Sequence, residues 1–519
     1  MSFSSRTLQQ AALGCAVVLG AIALRVFRAK RRAKLPPGPP GVFFFGNLFQ
    51  LSARVWLNFE TWKTLYGPVV YLDIAGQPIV VLNTPKATAD LLDRRAGLYS
   101  DRPRNIVASE IMTGGLLVVF SRYGDIWRRM RRAAHEGLNK SVAHKYNAIQ
   151  SKEAILLTHS LLENPTAWDT HFRRNAASVV LSMVYDMPAL ASEEDPKITL
   201  INDFVARLVR AAYPGAHFVE YFTWMRYLPA SVAKWKRVAL EQHKQDDAMF
   251  RGLFNEVADR VAQGDQRPSF CATLLEQEDR HGLNEKESAW LAATLYAGGA
   301  ETTSGVLAWF LFDMLSFPEA QTRAQAELDA VVGRSRLPTF ADYDHLPYLR
   351  ALIKEVLRWT PVDPLGVPHR LIDDDYYEGH WIPKGTIVIG NVWSMNRDAE
   401  IYGADAHLFE PRRHLGADGR LTGVGAGTKD EGHYTFGFGR RICVGRHVAN
   451  DSLFIDCASI LWALSIEPIM DASGTPVLPS ADDSIDTGLV LRPPKFQCAF
   501  RPRFPDAAGI VASTKELTA

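Results

Sequence analysis

Cysteine is scarce in this chain: only five of 519 residues are Cys (Cys15, Cys271, Cys443, Cys457 and Cys498). The number is odd, the spacings are wide, and no C-x-x-C pair occurs. That excludes a disulfide framework and a cysteine-rich zinc site, and it places the bulk of the chain in a reducing compartment. An excess of one charge is also missing. Lys and Arg number 58 against 57 Asp and Glu, a formal net charge of +1, so the chain carries no overall nucleic-acid signature. There is no internal repeat and no low-complexity tract. Nor is there a dinucleotide fingerprint: Gly437-Phe438-Gly439 lacks the third glycine and opens no βαβ unit.

What is present is an ordinary globular balance, 47% hydrophobic and 22% charged, enough for a large core. Ala11 to Leu24 is an unbroken run of apolar or small residues, and Leu8 to Phe27 reaches the roughly 20 residues a membrane span prefers. Arg25, Arg28, Lys30, Arg31, Arg32 and Lys34 follow it, whereas only Arg6 precedes it. The positive-inside rule leaves everything after Lys34 in the cytosol. A cleaved signal peptide would carry its charge before the apolar run. The acceptor patterns at Asn139-Lys140-Ser141 and Asn450-Asp451-Ser452 are then chance matches. Leu35-Pro36-Pro37-Gly38-Pro39-Pro40-Gly41 reads as a stiff, non-helical hinge. The expected organisation is a membrane anchor with basic flank over 1–34, a Pro-rich hinge over 35–41 and a catalytic domain over 42–519.

Val69 to Leu82 reads as a hairpin turning at Ala75-Gly76-Gln77-Pro78, and Thr84-Pro85 as an N-cap and first helical residue. From about Gly124 to Ile372 the periodicity is mostly helical. Strand-like alternation returns from Tyr376 to Ile389, a last helix spans about Val444 to Leu464, and the chain from Pro468 onward is irregular. The expectation is a mainly α body with a minor β region near each end.

The sharpest string is Phe436-Gly437-Phe438-Gly439-Arg440-Arg441-Ile442-Cys443-Val444-Gly445. It is a glycine-bent loop ending in a cysteine where a helix begins. The helix dipole and free amides there favour thiolate. The glycines let backbone approach a bound group, and Arg440 and Arg441 add positive charge. The string matches F-x-x-G-x-R-x-C-x-G, and the chain therefore resembles the cytochromes P450. The resemblance implies haem b with Cys443 as the axial ligand, and cofactor contacts from Phe436, Gly437 and Gly445.

Three further segments carry the same resemblance, which covers essentially the whole chain. Gly298-Gly299-Ala300-Glu301-Thr302-Thr303 lies in a long apolar helix expected over Glu285 to Leu315. Two adjacent mid-helix glycines cost about 1 kcal/mol each relative to alanine. Either a locally opened turn beside a ligand or a close helix crossing offsets that. The resemblance makes Thr302 the residue that orients dioxygen and Glu301 the feeder of a proton relay, both facing that opening. Glu355-Val356-Leu357-Arg358 with Arg413 is similar to the family's buried Glu–Arg–Arg cluster, a structural trio. Trp127 and Arg131, four apart on one helix face, with His369 and Arg441, look like donors to a haem propionate.

With no nucleotide-binding fingerprint, electrons must come from a partner. The resemblance implies NADPH–cytochrome P450 reductase, or cytochrome b5, steered to a basic face of Arg128, Arg129, Arg132, Lys140, Arg440 and Arg446. The aromatic stretch Phe218 to Pro229 is either buried core or, by the resemblance, a cover over the substrate entrance dipping into the membrane. The expected cavity walls are Ile106 to Leu117, Leu295 to Ala297, Pro361 to Val367 and Ile485 to Val490. Asp363 stands out there: it points away from the haem or meets a polar substrate group. The resemblance thus implies an endoplasmic-reticulum monooxygenase, single-pass with a cytosolic catalytic domain, similar to fungal enzymes of secondary metabolism or xenobiotic oxidation. A haem-thiolate isomerase or dehydratase, and a catalytically silent haem or lipid-binding protein, are the alternatives.

Overall fold

The computed structural model describes residues 34–190, 196–213, 215–265, 267–422, 428–488 and 490–518. The expected anchor over 1–34 lies outside them except for Lys34. Among the described residues no helix is long and apolar enough to cross a membrane.

The helices that matter for the site are α1 (Val55–Tyr66), α2 (Asp125–Leu138), α3 (Asn147–Glu163), α4 (Trp168–Tyr185), α5 (Pro196–Ala212), α6 (Lys234–Ala262), α7 (Glu285–Ser316), α8 (Pro318–Val331), α9 (Pro347–Trp359) and α10 (Arg446–Ala463). A C-terminal helix, α11 (Ala507–Thr518), closes the chain where irregular structure was expected. α7 is the central rod. Asn284 starts it with a capping box: its side chain accepts from the Glu287 amide at 2.9 Å, and Glu287 accepts from the Asn284 amide at 3.1 Å. Most of α7 is buried, because it packs along α4 and α6 and meets α9 and α10. Trp290, Trp309 and Trp462 are among the largest side chains removed from solvent, and they fill the core around this rod.

Strands β1 (Val69–Ile74) and β2 (Gln77–Leu82) form the expected hairpin. Its turn needs positive φ at both Ala75 and Gly76, 49° and 88°. β3 (His369–Arg370) and β6 (Ile387–Gly390) complete that sheet in the order β1-β2-β6-β3, with β2 and β6 parallel. Between them, β4 (Asp375–Tyr377) and β5 (His380–Ile382) make a separate two-stranded ribbon. The Pro-rich stretch and the residue before it are tied to the body. Pro37 accepts from the Tyr71 amide of β1 at 2.8 Å, and Lys34 from the Trp381 amide of β5 at 2.6 Å. Proline lacks a donor but keeps its carbonyl, so the stretch adds itself to the body by acceptance alone.

Candidate active site

The cysteine loop is built from its glycines. Gly437 and Gly439 both have positive φ, 75° and 55°. A Cβ on Gly439 would collide with the Leu92 carbonyl, so only glycine fits. The Gly439 amide donates to Asp93 Oδ1 at 2.6 Å, and the loop closes when the Cys443 amide donates to the Phe436 carbonyl at 2.8 Å. Gly445 caps α10 and its amide reaches Cys443. Burial pushes the Cys443 thiol up, while that amide, Arg131 and Arg446 pull it back down. The residue lies deep in protein, yet its side chain is accessible, because it opens onto an internal cavity.

That cavity holds about 370 Å³. One end is cationic. Arg102, Arg131, Arg441, His369 and Trp127 all line it beside the loop. Burial lowers the pKa of Arg131, of Arg102 to about 10 and of Arg441 to about 8, and repulsion between the arginines adds to it. Burial, and then Arg102, hold His369 well below its ordinary value. Its Nδ1–H donates to the Tyr99 carbonyl at 2.8 Å. Arg441 lies 4.2 Å over the Trp127 ring and donates to the Ser100, Val118 and Ser121 carbonyls. Arg131 donates to the Ile442 carbonyl. Trp127 Nε1–H is buried and finds no acceptor among the described residues. Cations packed this closely in a low-dielectric site, with one donor unused, suit an anionic group. Arg102 was not foreseen: a lone Arg in Asp101-Arg102-Pro103 carries no motif.

The two α7 glycines have different jobs. A Cβ on Gly298 would meet nothing, because that face looks into the cavity. A Cβ on Gly299 would stand 2.7 Å from Val180, so this glycine permits the close crossing with α4. The helix is continuous here, and no turn is opened. Instead, the Thr302 hydroxyl donates back to the Gly298 carbonyl at 2.6 Å. Thr302 lines the cavity; Glu301, expected to face it too, does not. Its carboxylate accepts from Arg173 at 2.8 Å and lies 3.5 Å from Arg492. Asp169 ties both arginines together. One residue along a helix turns the side chain about 100°, which separates the two.

The cavity walls agree only in part with those expected. Leu117, Leu295, Ala297 and Val362 to Val367, except Pro364, line the cavity. Ile106 to Met112 is mostly packed into the core instead, and Ile485 is half exposed on an edge strand. α4 and α5 supply unforeseen walls, among them Val179, Val205 and Leu208.

Glu355, Arg358 and Arg413 come together as expected, with His414 as an unforeseen fourth member. Glu355 accepts twice from Arg358 at 2.7 Å, from Arg413 at 3.0 Å and from His414 at 2.9 Å. Burial would raise its carboxyl, but the Arg358 and His414 bonds override this and bring it to about 2. Burial presses His414 below its usual range. Of the expected basic face, Arg128, Arg132, Lys140 and Arg440 are exposed. Arg129 is engaged by Glu287 at 3.0 Å and Arg446 by Glu431 at 3.5 Å.

Residues 36–500 match the sequence model of the cytochrome P450 family. A cytochrome P450 monooxygenase of Armillaria gallica is 59% identical over 501 residues, 96% of each chain. A second from that fungus is 53% identical over 505 residues, 97% of this chain and 98% of its own. Cytochrome P450 monooxygenase 253 of Postia placenta is 48% identical over 513 residues, 99% of this chain and 97% of its own. The chain belongs to the cytochrome P450 family. It is a haem-thiolate monooxygenase: such enzymes use haem iron with a cysteine thiolate, electrons from a reductase, and a small-molecule substrate. The accessible Cys443, the cationic cavity end and the open faces of Gly298, Gly437 and Gly445 fit that cofactor.

Proposed function

We propose that this enzyme oxidises a lipophilic small molecule in fungal secondary metabolism, with Cys443 as the iron ligand. The observation that carries the reading is Cys443 opening onto an apolar cavity beside a cationic end. Trp127, Arg131, His369 and Arg441 hold the propionates, and Phe436, Gly437 and Gly445 give the ring room. Bound haem supplies dioxygen activation, one oxygen atom going to substrate and the other to water. The Thr302 hydroxyl, which now donates to the Gly298 carbonyl, would on leaving that carbonyl turn its donor into the cavity and orient oxygen there. Glu301, held outside the cavity by Arg173 and Arg492, would pass protons inward by swinging away from that partly exposed ion-pair cluster. Glu355, Arg358 and Arg413 keep the loop in place and do no chemistry.

NADPH–cytochrome P450 reductase, with cytochrome b5 as an alternative donor, docks on Arg128, Arg132, Lys140 and Arg440. The enzyme sits on the endoplasmic-reticulum membrane by the apolar run before Lys34, with the body in the cytosol. The exposed Phe218, Trp224 and Tyr227 (74, 63 and 77%) support bilayer contact near the α5–α6 connection.

The test is the carbon-monoxide difference spectrum of the dithionite-reduced enzyme. A strongly red-shifted Soret band is expected, and Cys443→Ala abolishes it while haem content is followed separately. With reductase, NADPH and isotopically labelled dioxygen, one labelled oxygen enters product. Turnover without oxygen would mean a different reaction. Thr302→Ala lowers product per NADPH; an unchanged ratio would remove Thr302 from the relay.

A further inference from the structure

One acid faces the cavity, and among the described residues only the field of Arg102 and two backbone amides offset its charge. Asp363 is the single carboxylate lining the cavity among the described residues. It lies in the loop after α9, between the apolar Val362 and Leu365. It is deeply enclosed but keeps some accessible surface, and that surface faces the cavity. It forms no ion pair among the described residues. Arg102, the cation whose field reaches it, spends Nε on the Val119 carbonyl at 3.0 Å and Nη1 on the Val367 and Pro368 carbonyls at 2.6 and 2.8 Å. Of the other lining arginines, Arg131 donates to the Ile442 carbonyl of the cysteine loop and Arg441 to the Ser100, Val118 and Ser121 carbonyls.

A carboxylate without a partner in an apolar wall is costly to keep charged. Burial raises the Asp363 carboxyl to about 6, against the Leu365 and Gly366 amides and the field of Arg102, and with help from Asp486. Two roles would account for its place. One is to cap the turn through those amides, which an uncharged asparagine would do equally well. The other is for its charge to be used by what enters the cavity. Pockets fix ligand orientation through a few polar groups in an apolar lining, and a buried unpaired charge rewards the opposite charge most strongly.

We propose that Asp363 is the specificity-determining residue of this site, selecting apolar molecules that carry a cationic nitrogen. The inference rests on the monooxygenase reading and names its substrate class. Pairing with Asp363 pins the nitrogen at the loop after α9 and turns the apolar remainder towards Cys443 and Thr302. Neutral molecules of the same shape enter but are held without register.

The test compares two probes on the haem-loaded enzyme by equilibrium dialysis: a phenylalkyl trimethylammonium ion and its tert-butyl isostere. Neither can ligate iron, and the charge of the first does not titrate. The wild type binds the cation about tenfold more tightly or better, by the usual strength of a desolvated charge pair. Asp363→Asn keeps the oxygen that accepts from Leu365 and Gly366 and removes the charge. It should bind both probes alike, with a melting temperature at pH 7.5 no lower than the wild type's, because the charge it removes is costly to bury. The wild-type preference should also fade as pH falls from 7.5 to 5, since Asp363 takes up a proton while Arg102 stays charged. That measurement needs no variant. Equal binding of the two probes by the wild type at pH 7.5, or a preference kept in Asp363→Asn, overturns the proposal. If the carbon-monoxide band is normal in that case, the monooxygenase reading stands and only the substrate class falls.

Discussion

Glu355 holds two arginines and a histidine where no water reaches. Each of its oxygens is used, and Arg358 also donates to the Asn396, Ala406 and Leu408 carbonyls. Removing Glu355 leaves Arg358 and Arg413 charged and buried without their counter-ion. Glu355→Ala is therefore expected to cost about 3–5 kcal/mol, enough to take most of the stability of an ordinary domain. Urea unfolding, or recovery of folded haem-free protein on expression, checks this. The pH dependence has a definite sign. The folded carboxyl is depressed to about 2, below its ordinary value near 4.5. Its stabilisation is complete above the ordinary value and is lost as pH falls towards 2. Unfolding midpoints measured from pH 6 down to pH 2.5 should drop more steeply in the wild type than in Glu355→Gln.

α7 shows how one element serves two neighbours with adjacent residues. Gly298 faces the cavity and Gly299 faces Val180. Alanine at 298 should be tolerated by the fold and gain up to about 1 kcal/mol of helix propensity. Alanine at 299 must push Val180 or separate the helices, and should lose about 1–3 kcal/mol. Val180→Ala should recover most of that loss, because the collision is with a side chain. Thermal unfolding of the four variants forms a complete cycle. The cysteine loop allows no such recovery. Alanine at 439 meets backbone, the Leu92 carbonyl, and also needs positive φ. It should yield protein that folds around α7 yet loses the red-shifted carbon-monoxide band.

The molecule carries two surfaces that its own fold leaves open. Tyr123 sits between Arg128 and Arg440, whose guanidinium carbons lie 5.9 and 5.5 Å from its ring centre. With Arg132 and Lys140 they make a cationic face. Reversing Arg128 and Arg132 to Glu should slow reduction by the reductase about tenfold at low ionic strength, with the two enzymes converging at high salt. Stopped-flow formation of the carbon-monoxide complex reads this directly. The second surface is aromatic. Serine at Phe218, Phe222, Trp224 and Tyr227 should weaken binding of residues 35–519 to phospholipid vesicles about tenfold or more, with the catalytic spectrum unchanged. Flotation assays check it.

Local chemistry made much of this protein legible in its sequence. The hairpin from Val69 to Leu82, the long α7 and the loop ending in Cys443 follow from glycine, periodicity and spacing within short windows. Glu355, Arg358 and Arg413 were foreseen only because their pattern resembles a family. What the sequence left open depends on partners far along the chain. Helix geometry turns Glu301 from Thr302, but its partners Arg173 and Arg492 come from elsewhere, and Arg492 reaches Asp169 across 323 positions. His414, Arg102 and the walls from α4 and α5 join the site through packing alone. Asp363 was visible as an oddity, but whether its charge was neutralised depended on where the Arg102 guanidinium went. Backbone turns and caps are settled within a few residues, so sequence determines them. Charge partners and cavity walls are settled by which surfaces meet, and only the tertiary structure decided those.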